Sequence, residues 1–163
     1  MKSRGGHKSP AKALTPDQVL ERMERYCAYR ERCRLEVAAK LREFGLPAAE
    51  TAQIYQLLED EGFFNEKRFA ESFVRGKFRS NRWGRIRIRL ELQRRSVNSQ
   101  WIEEAIAGID AQEYLQAIDT AIARRQPTDA ATRAKTAAAL IRAGFEPSLV
   151  FERLNCSEWE RDA

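Results

Sequence analysis

One phrase of this sequence occurs three times. Leu41-x-x-x-Gly45-Leu46 returns as Leu92-x-x-x-Ser96-Val97 and again as Leu140-x-x-x-Gly144-Phe145. The spacing is 51 residues from Leu41 to Leu92 and 48 from Leu92 to Leu140, with three extra residues between Leu46 and Ile54 accounting for the difference. A leucine followed by a glycine stop and an apolar residue is the way a helix ends in a turn. The apolar pairs beyond each stop also correspond: Ile54 and Leu58, Ile102 and Ile106, Val150 and Leu154. So do the pairs upstream, Leu20 and Met23, Phe69 and Phe73, Tyr114 and Ile118. A repeat of this length built from short helices cannot bury its apolar faces alone, so neighbouring copies cover one another. The fold class that follows is all-α, with three tandem three-helix modules of helix-turn-helix outline.

The element signals agree. Thr15-Pro16-Asp17 is a helix start, with threonine as cap, proline at the first helical position and acid in the first turn. Val19, Leu20, Met23 and Tyr26 mark the first helix, Leu35, Val37, Ala38 and Leu41 the second, and Ile54, Leu57 and Leu58 a third from Ala48 to Glu61. The second module opens on Asn65-Glu66 before Phe69, Ala70, Phe73 and Val74. The third opens at Asp110 with Tyr114, Leu115, Ile118 and Ile122, and continues with an alanine-rich helix from Thr132 to Ala143. The expected organisation is a disordered basic tail over 1–13, modules over 14–62, 63–108 and 109–156, and an acidic tail over 157–163, from which Trp159 could fold back on the core.

The stretch from Arg85 to Leu92 is the one ambiguous element. It alternates Arg-Ile-Arg-Ile-Arg-Leu-Glu-Leu, a pattern that taken alone suits a half-buried strand. The surrounding Glu, Arg, Leu and Ala favour a helix. On a helix Ile88 and Leu92 share one face, while Trp83, Ile86 and Leu90 fall on roughly the opposite face. The expectation is a helix apolar on both sides, packed between two neighbours, with Trp83 in the core.

Composition excludes several functions. No run of about 18 apolar residues is present, so no membrane span is expected. The basic N-terminus lacks an apolar segment after it, so the default location is cytoplasmic. Cys27, Cys33 and Cys156 form no Cys-x-x-Cys pair, and His7 is the single histidine, which leaves no metal motif. No glycine-rich phosphate loop or histidine base marks an active site, and adjacent acids such as Asp60/Glu61 and Glu103/Glu104 diverge by about 100° on a helix. The chain is expected to be no enzyme, to need no cofactor and to act by binding.

Charge locates the binding surface. The net charge is +5, but residues 65–108 carry 11 Lys/Arg against 5 Asp/Glu, whereas residues 14–64 and 109–163 are net negative. The candidate site residues are Arg75, Lys77, Arg79, Arg82, Arg85, Arg87, Arg89, Arg94 and Arg95. Their arginine bias suits bidentate contact with phosphate or carboxylate. Sequence-specific reading of duplex DNA is disfavoured, because the helices after the turns, AAETAQIYQLLED, SQWIEEAIAG and PSLVFERLN, are neutral to acidic.

The central segment also carries a resemblance. Gly62 to Ala70 reads GFFNEKRFA, followed by Phe73-Val74, Trp83-Gly84, Ile88, Glu91-Leu92 and Val97; upstream stand Tyr29-Arg30-Glu31-Arg32-Cys33 and Lys40-Leu41. Over residues 19 to 155 this is similar to the RecX regulators of the bacterial recombinase RecA. Departures are Asn65-Glu66 in place of an Asp-Asp-like pair, Ser96 in place of glycine, and Cys33 in place of serine; the third module is the least family-like. The resemblance implies a curved, elongated row of three-helix modules. It also implies a cytoplasmic, non-catalytic protein that binds the RecA filament on single-stranded DNA and blocks its growth. ATP hydrolysis, strand exchange and the coprotease activity behind the SOS response would fall with it. A monomer is expected, with direct DNA contact possible. The alternative is a non-sequence-specific DNA-binding protein on the same helical scaffold.

Overall fold

A computed structural model describes residues 14–159, with side chains as far as Asn155. The basic tail expected over 1–13 and the fold-back of Trp159 lie outside what is described. Among the described residues there are nine helices and no strand. They are α1 (Pro16–Tyr29), α2 (Arg34–Arg42), α3 (Ala48–Asp60), α4 (Glu66–Arg79), α5 (Arg85–Gln93), α6 (Ser99–Ala107), α7 (Ala111–Arg125), α8 (Ala130–Arg142) and α9 (Pro147–Trp159). The last continues into the stretch expected as an acidic tail.

The repeated phrase is the helix stop it reads as. Gly45, Ser96 and Gly144 all take left-handed backbone, at φ 68°, 55° and 94°. Val97 N–H donates to the Leu92 carbonyl at 3.2 Å and Phe145 N–H to that of Leu140 at 3.1 Å, while Ser96 and Gly144 N–H close shorter rings onto Gln93 and Ile141. This double closure satisfies carbonyls that the helix end would otherwise orphan, and it brings the apolar residue after the turn back against the leucine. Leu41, Leu92, Leu140, Val97 and Phe145 are all buried. In the second and third copies the repeat is therefore one of backbone hydrogen bonding as well as of side-chain pattern; in the first, Gly45 N–H closes onto Arg42 at 3.2 Å and Leu46 is half-buried.

Helix starts are equally local. Thr15 and Gln18 form a reciprocal capping box, and Asn65, Asn98, Asp110 and Asp129 cap α4, α6, α7 and α8. Asp129 and Thr132 form a second capping box, which starts α8 two residues before Thr132, the expected first residue.

The described residues divide into two compact units, 14–30 with 36–64, and 31–35 with 65–159. In the first, α1 packs on α3 around Val19, Met23, Cys27, Val37, Leu41, Ile54, Leu58 and Phe64. Leu57, expected inside, is exposed because the i, i+4 pair Ile54/Leu58 already covers the buried side of α3. Leu35, from the second unit's 31–35 segment, is exposed as well. In the second unit α4, α5 and α6 pack together, α7, α8 and α9 do likewise, and one apolar core runs through both sets, joined by Cys33.

The Arg85–Gln93 stretch is helix, as expected, but its two apolar faces are not equivalent. Ile88 and Leu92 are fully buried, whereas Ile86 and Leu90 are 36% and 49% exposed. The helix packs on one side only. The start of α5 also departs from the rest, since Gly84 offers no side-chain cap. Its first N–H groups are satisfied from α7 and the α8–α9 turn. Gly84 donates to the Ala143 carbonyl at 2.8 Å and Ile86 to that of Gly144 at 3.0 Å; Arg85 donates to the Tyr114 hydroxyl at 3.0 Å. The backbones approach so closely that a Cβ at Gly84 would lie 2.2 Å from Gly144 main-chain atoms, and one at Gly144 would lie 2.3 Å from Arg87 Cβ.

Two substitutions test these local arguments by urea unfolding. Gly84→Ala is expected to destabilise the protein by about 2–3 kcal/mol, because backbone rather than a flexible side chain must give way. Ser96→Gly is expected to stabilise it by about 1 kcal/mol, the order of the penalty for a side chain in left-handed backbone.

Candidate functional site

The nine candidate cations share a segment but not a surface. Arg75, Lys77 and Arg79 lie on α4, Arg82 in the following turn, Arg85, Arg87 and Arg89 on α5, and Arg94 and Arg95 at its end. Five of them face carboxylates. Arg79 bonds Glu113 at 3.2 and 3.3 Å. Arg89 grips Glu103 in a fork at 2.7 and 2.9 Å. Arg94 and Arg95 both reach Glu91, at 2.9 and 2.7 Å. Arg85 lies 3.9 Å from Glu146.

Arg85 belongs to the α5 junction. Its guanidinium stacks 3.9 Å from the Tyr114 ring centroid. The Tyr114 hydroxyl accepts from the Arg85 backbone and donates to Glu146 at 2.6 Å. Burial, with the Glu146 anion beside it, pushes the Tyr114 pKa well above the usual tyrosine value. Tyr114 also sits between Phe78 and Phe145, at ring distances of 5.7 and 5.3 Å. This assembly is structural.

A different set forms a ladder of cations on aromatic rings. The Arg87 guanidinium lies 3.9 Å from the Trp83 centroid, and Lys77 lies 4.9 Å from Trp83 and 5.4 Å from Phe73. Arg95 covers Phe73 from 4.9 Å. Each ring presents its negative face to a cation, which holds the long side chain in place without neutralising it, although Arg95 also meets Glu91. Lys77 and Arg87 have no carboxylate partner among the described residues, so positive potential concentrates here. Trp83, expected in the core, is half-buried and packs against it while supporting Arg87 and Lys77. The composition signal located the cations; the aromatic spacing Phe73, Trp83 was the sequence clue to the ladder.

Arg75 and Arg82 have neither a carboxylate nor a ring partner among the described residues. Arg75 lines a cleft of about 380 Å³ with Arg79 and the acids Glu71, Glu104 and Glu113, a self-neutralising wall. Across that region Lys67 meets Glu104 at 2.9 Å and lies 5.4 Å from the Trp101 ring. Hydrogen bonds from Arg95, Arg89 and Lys67 hold the Glu91, Glu103 and Glu104 carboxyls below their ordinary value. Among the described residues no group of three or more His, Cys, Asp or Glu is placed to hold a metal ion, and no helix is long and apolar enough to cross a membrane.

Three-helix modules in tandem, the second carrying cations with no carboxylate partner among the described residues, define an all-α helical-repeat protein. Residues 65–106 match the family model described as RecX, second three-helix domain. The regulatory protein RecX of Pseudomonas fluorescens strain Pf-5 is 36% identical over 131 residues, covering 78% of this chain and 84% of the relative. That of Herbaspirillum seropedicae is 30% identical over 151 residues, covering 90% and 96%. The crystal structure of RecX from Lactobacillus salivarius shares the fold, with a TM-score of 0.77 at 23% identity over 86% of this chain and 94% of that one. The chain belongs to the RecX family of regulatory proteins.

The buried hydroxyl gives a pH signature. A folded-state tyrosine pKa raised above its ordinary value of 10.0 contributes stability that is fully present below pH 10 and is lost as pH rises toward the folded value. Unfolding free energy is expected to decline above pH 10 with a slope approaching about 1.4 kcal/mol per unit. Urea titrations at pH 9 to 11 on wild type and Tyr114→Phe check this: the variant starts lower and loses that slope.

Proposed function

We propose that this chain binds the RecA filament assembled on single-stranded DNA and inhibits its extension, and through that its ATPase, strand-exchange and coprotease activities. Family membership supports a regulatory role. The observation that carries the choice of surface is the Arg87–Trp83–Lys77–Phe73–Arg95 ladder, which lies in the segment matching the family's second domain. Cations fixed on rings are already ordered, so meeting an acidic protein groove orders few further rotamers. A bound monomer then obstructs the addition of further subunits without any chemistry of its own.

The same surface supports a second reading, direct binding to nucleic acid without sequence preference. Lys77 and Arg87 are uncommitted to carboxylates and can meet phosphates. The two readings differ in salt dependence. Bare single strands bind with log affinity falling by about 0.7 per neutralised phosphate for each decade of salt, whereas filament binding requires assembled RecA.

The test is RecA ATP hydrolysis on single-stranded DNA with this protein added well below the RecA concentration. Wild type is expected to inhibit strongly. The double substitution Lys77→Glu/Arg87→Glu is expected to raise the half-inhibitory concentration roughly tenfold with an unchanged circular dichroism melt. Absence of inhibition by wild type, together with tight and steeply salt-dependent binding to bare oligothymidylate, favours the second reading.

A further inference from the structure

A second open groove lies in the second unit, of about 490 Å³, between the α4–α5 turn and the α7–α8 pair. Its charge differs from that of the cleft beside Arg75. Arg82, Arg124 and Arg125 line it, and no acidic side chain does. Arg82 and Arg124 have no carboxylate partner among the described residues. Arg125 spends one N–H on the Ala121 carbonyl at 3.1 Å, a helix-end contact that leaves its charge un-neutralised. The one acid of the α7 segment alongside, Asp119, is turned to α9 and held by Arg153 at 2.7 and 2.6 Å.

Two of the few non-glycine residues with left-handed backbone stand at this groove or beside it. Arg82, in its lining, has φ 56°, and Gln126, next to Arg125, has φ 44°. Left-handed backbone at an arginine is unfavourable and persists only where the surroundings impose it; here it sets Arg82 across from the end of α7.

The floor decides the class of ligand. It consists of small side chains from α7 and α8, among them Ala121 and Ala139, over Leu140 and Phe145, each only 2% exposed. The Phe145 ring packs against Tyr114 at 5.3 Å and offers no open face on which a base could stack. A single-stranded nucleic acid therefore loses the stacking that normally accompanies phosphate contact. A trough of methyl groups accepts a bulkier aliphatic side chain, and the guanidiniums above it match carboxylates bidentately.

The geometry points to this groove as a docking site for an acidic peptide segment of a partner protein, one that inserts an aliphatic side chain over Ala121 and Ala139 and presents flanking Asp or Glu to Arg82, Arg124 and Arg125. This site is separate from the Lys77/Arg87 surface and is measured without RecA, so its failure and that of the proposed function are distinguishable.

The experiment is selection of a random dodecapeptide display library on the full chain, followed by fluorescence-polarisation titration of the enriched peptides and of fluorescein-labelled dT15. Enriched peptides are expected to combine two or more acids with Leu, Ile or Met. Their affinity is expected to fall roughly tenfold on Arg124→Gln/Arg125→Gln, and likewise on Arg82→Gln, while the charge control Arg42→Gln leaves it unchanged. Unaltered circular dichroism melts show that the variants fold. Failure to enrich acidic peptides, or enriched peptides that bind all variants equally, overturns the proposal. So does loss of dT15 binding in the groove variants without acidic-peptide binding, which reassigns the groove to nucleic acid.

Discussion

The meeting of Gly84 and Gly144 is the constraint on which the second unit depends. The start of α5 has no side chain to cap it, and its first three N–H groups are satisfied by the Ala143 and Gly144 carbonyls and the Tyr114 hydroxyl. Buried backbone donors left unpaired would be costly, so α5 is complete as a helix only where α7 and the α8–α9 turn are present. Only glycine permits that approach, because a Cβ at Gly84 would enter the Gly144–Phe145 backbone and one at Gly144 would run into Arg87. Tyr114 then fixes the junction from the side, donating to Glu146, accepting from Arg85 and stacking with Phe78, Phe145 and the Arg85 guanidinium. One buried ring thus ties the basic helix to the module after it.

That arrangement sorts the arginines. Arg85 is committed to the junction, and Arg79, Arg89, Arg94 and Arg95 each face a carboxylate, so the density of positive charge in the sequence overstates the density of charge available for binding. Available charge is found where a cation rests on an aromatic face, as Arg87 and Lys77 do on Trp83, or where no acid lies opposite, as at Arg82. Exposed ion pairs contribute little stability each, which leaves the pairs around Glu91 and Glu103 as orienting contacts more than as a source of fold stability.

Much of the fold was legible in the sequence because its signals are local. The triple Leu-x-x-x-Gly/Ser-apolar phrase specifies helix stops through hydrogen bonds that span at most six residues, and Thr15, Asn65 and Asp110 specify starts in the same way. The helix from Arg85 to Gln93 was legible against its strand-like alternation from the company it keeps. The exposure of Ile86 and Leu90 was not, since periodicity reports which residues share a face and not whether a neighbour covers it. Cys33 is a similar case: it lies before α2 in the chain but joins the core of the second unit. The candidate site was legible as a region and not as a surface, because the fates of Arg79, Arg85 and Arg89 depend on acids 14 to 61 residues away, such as Glu103 for Arg89 and Glu146 for Arg85.

The sequence by itself determined the all-α class, the threefold helical repeat, the capped helix starts and the glycine or serine stops, and the concentration of positive charge in the central segment. Each of these rests on interactions within a turn or two of helix, or on composition, and needs no knowledge of what packs where. Tertiary structure alone decided which cations remain un-neutralised, that Trp83 packs against the core while carrying Arg87 and Lys77 on its ring, and that Gly84 is a contact point and not a loose turn. Those outcomes depend on carboxylates, rings and carbonyls brought together from distant parts of the chain, and pairing at a distance is set by packing geometry.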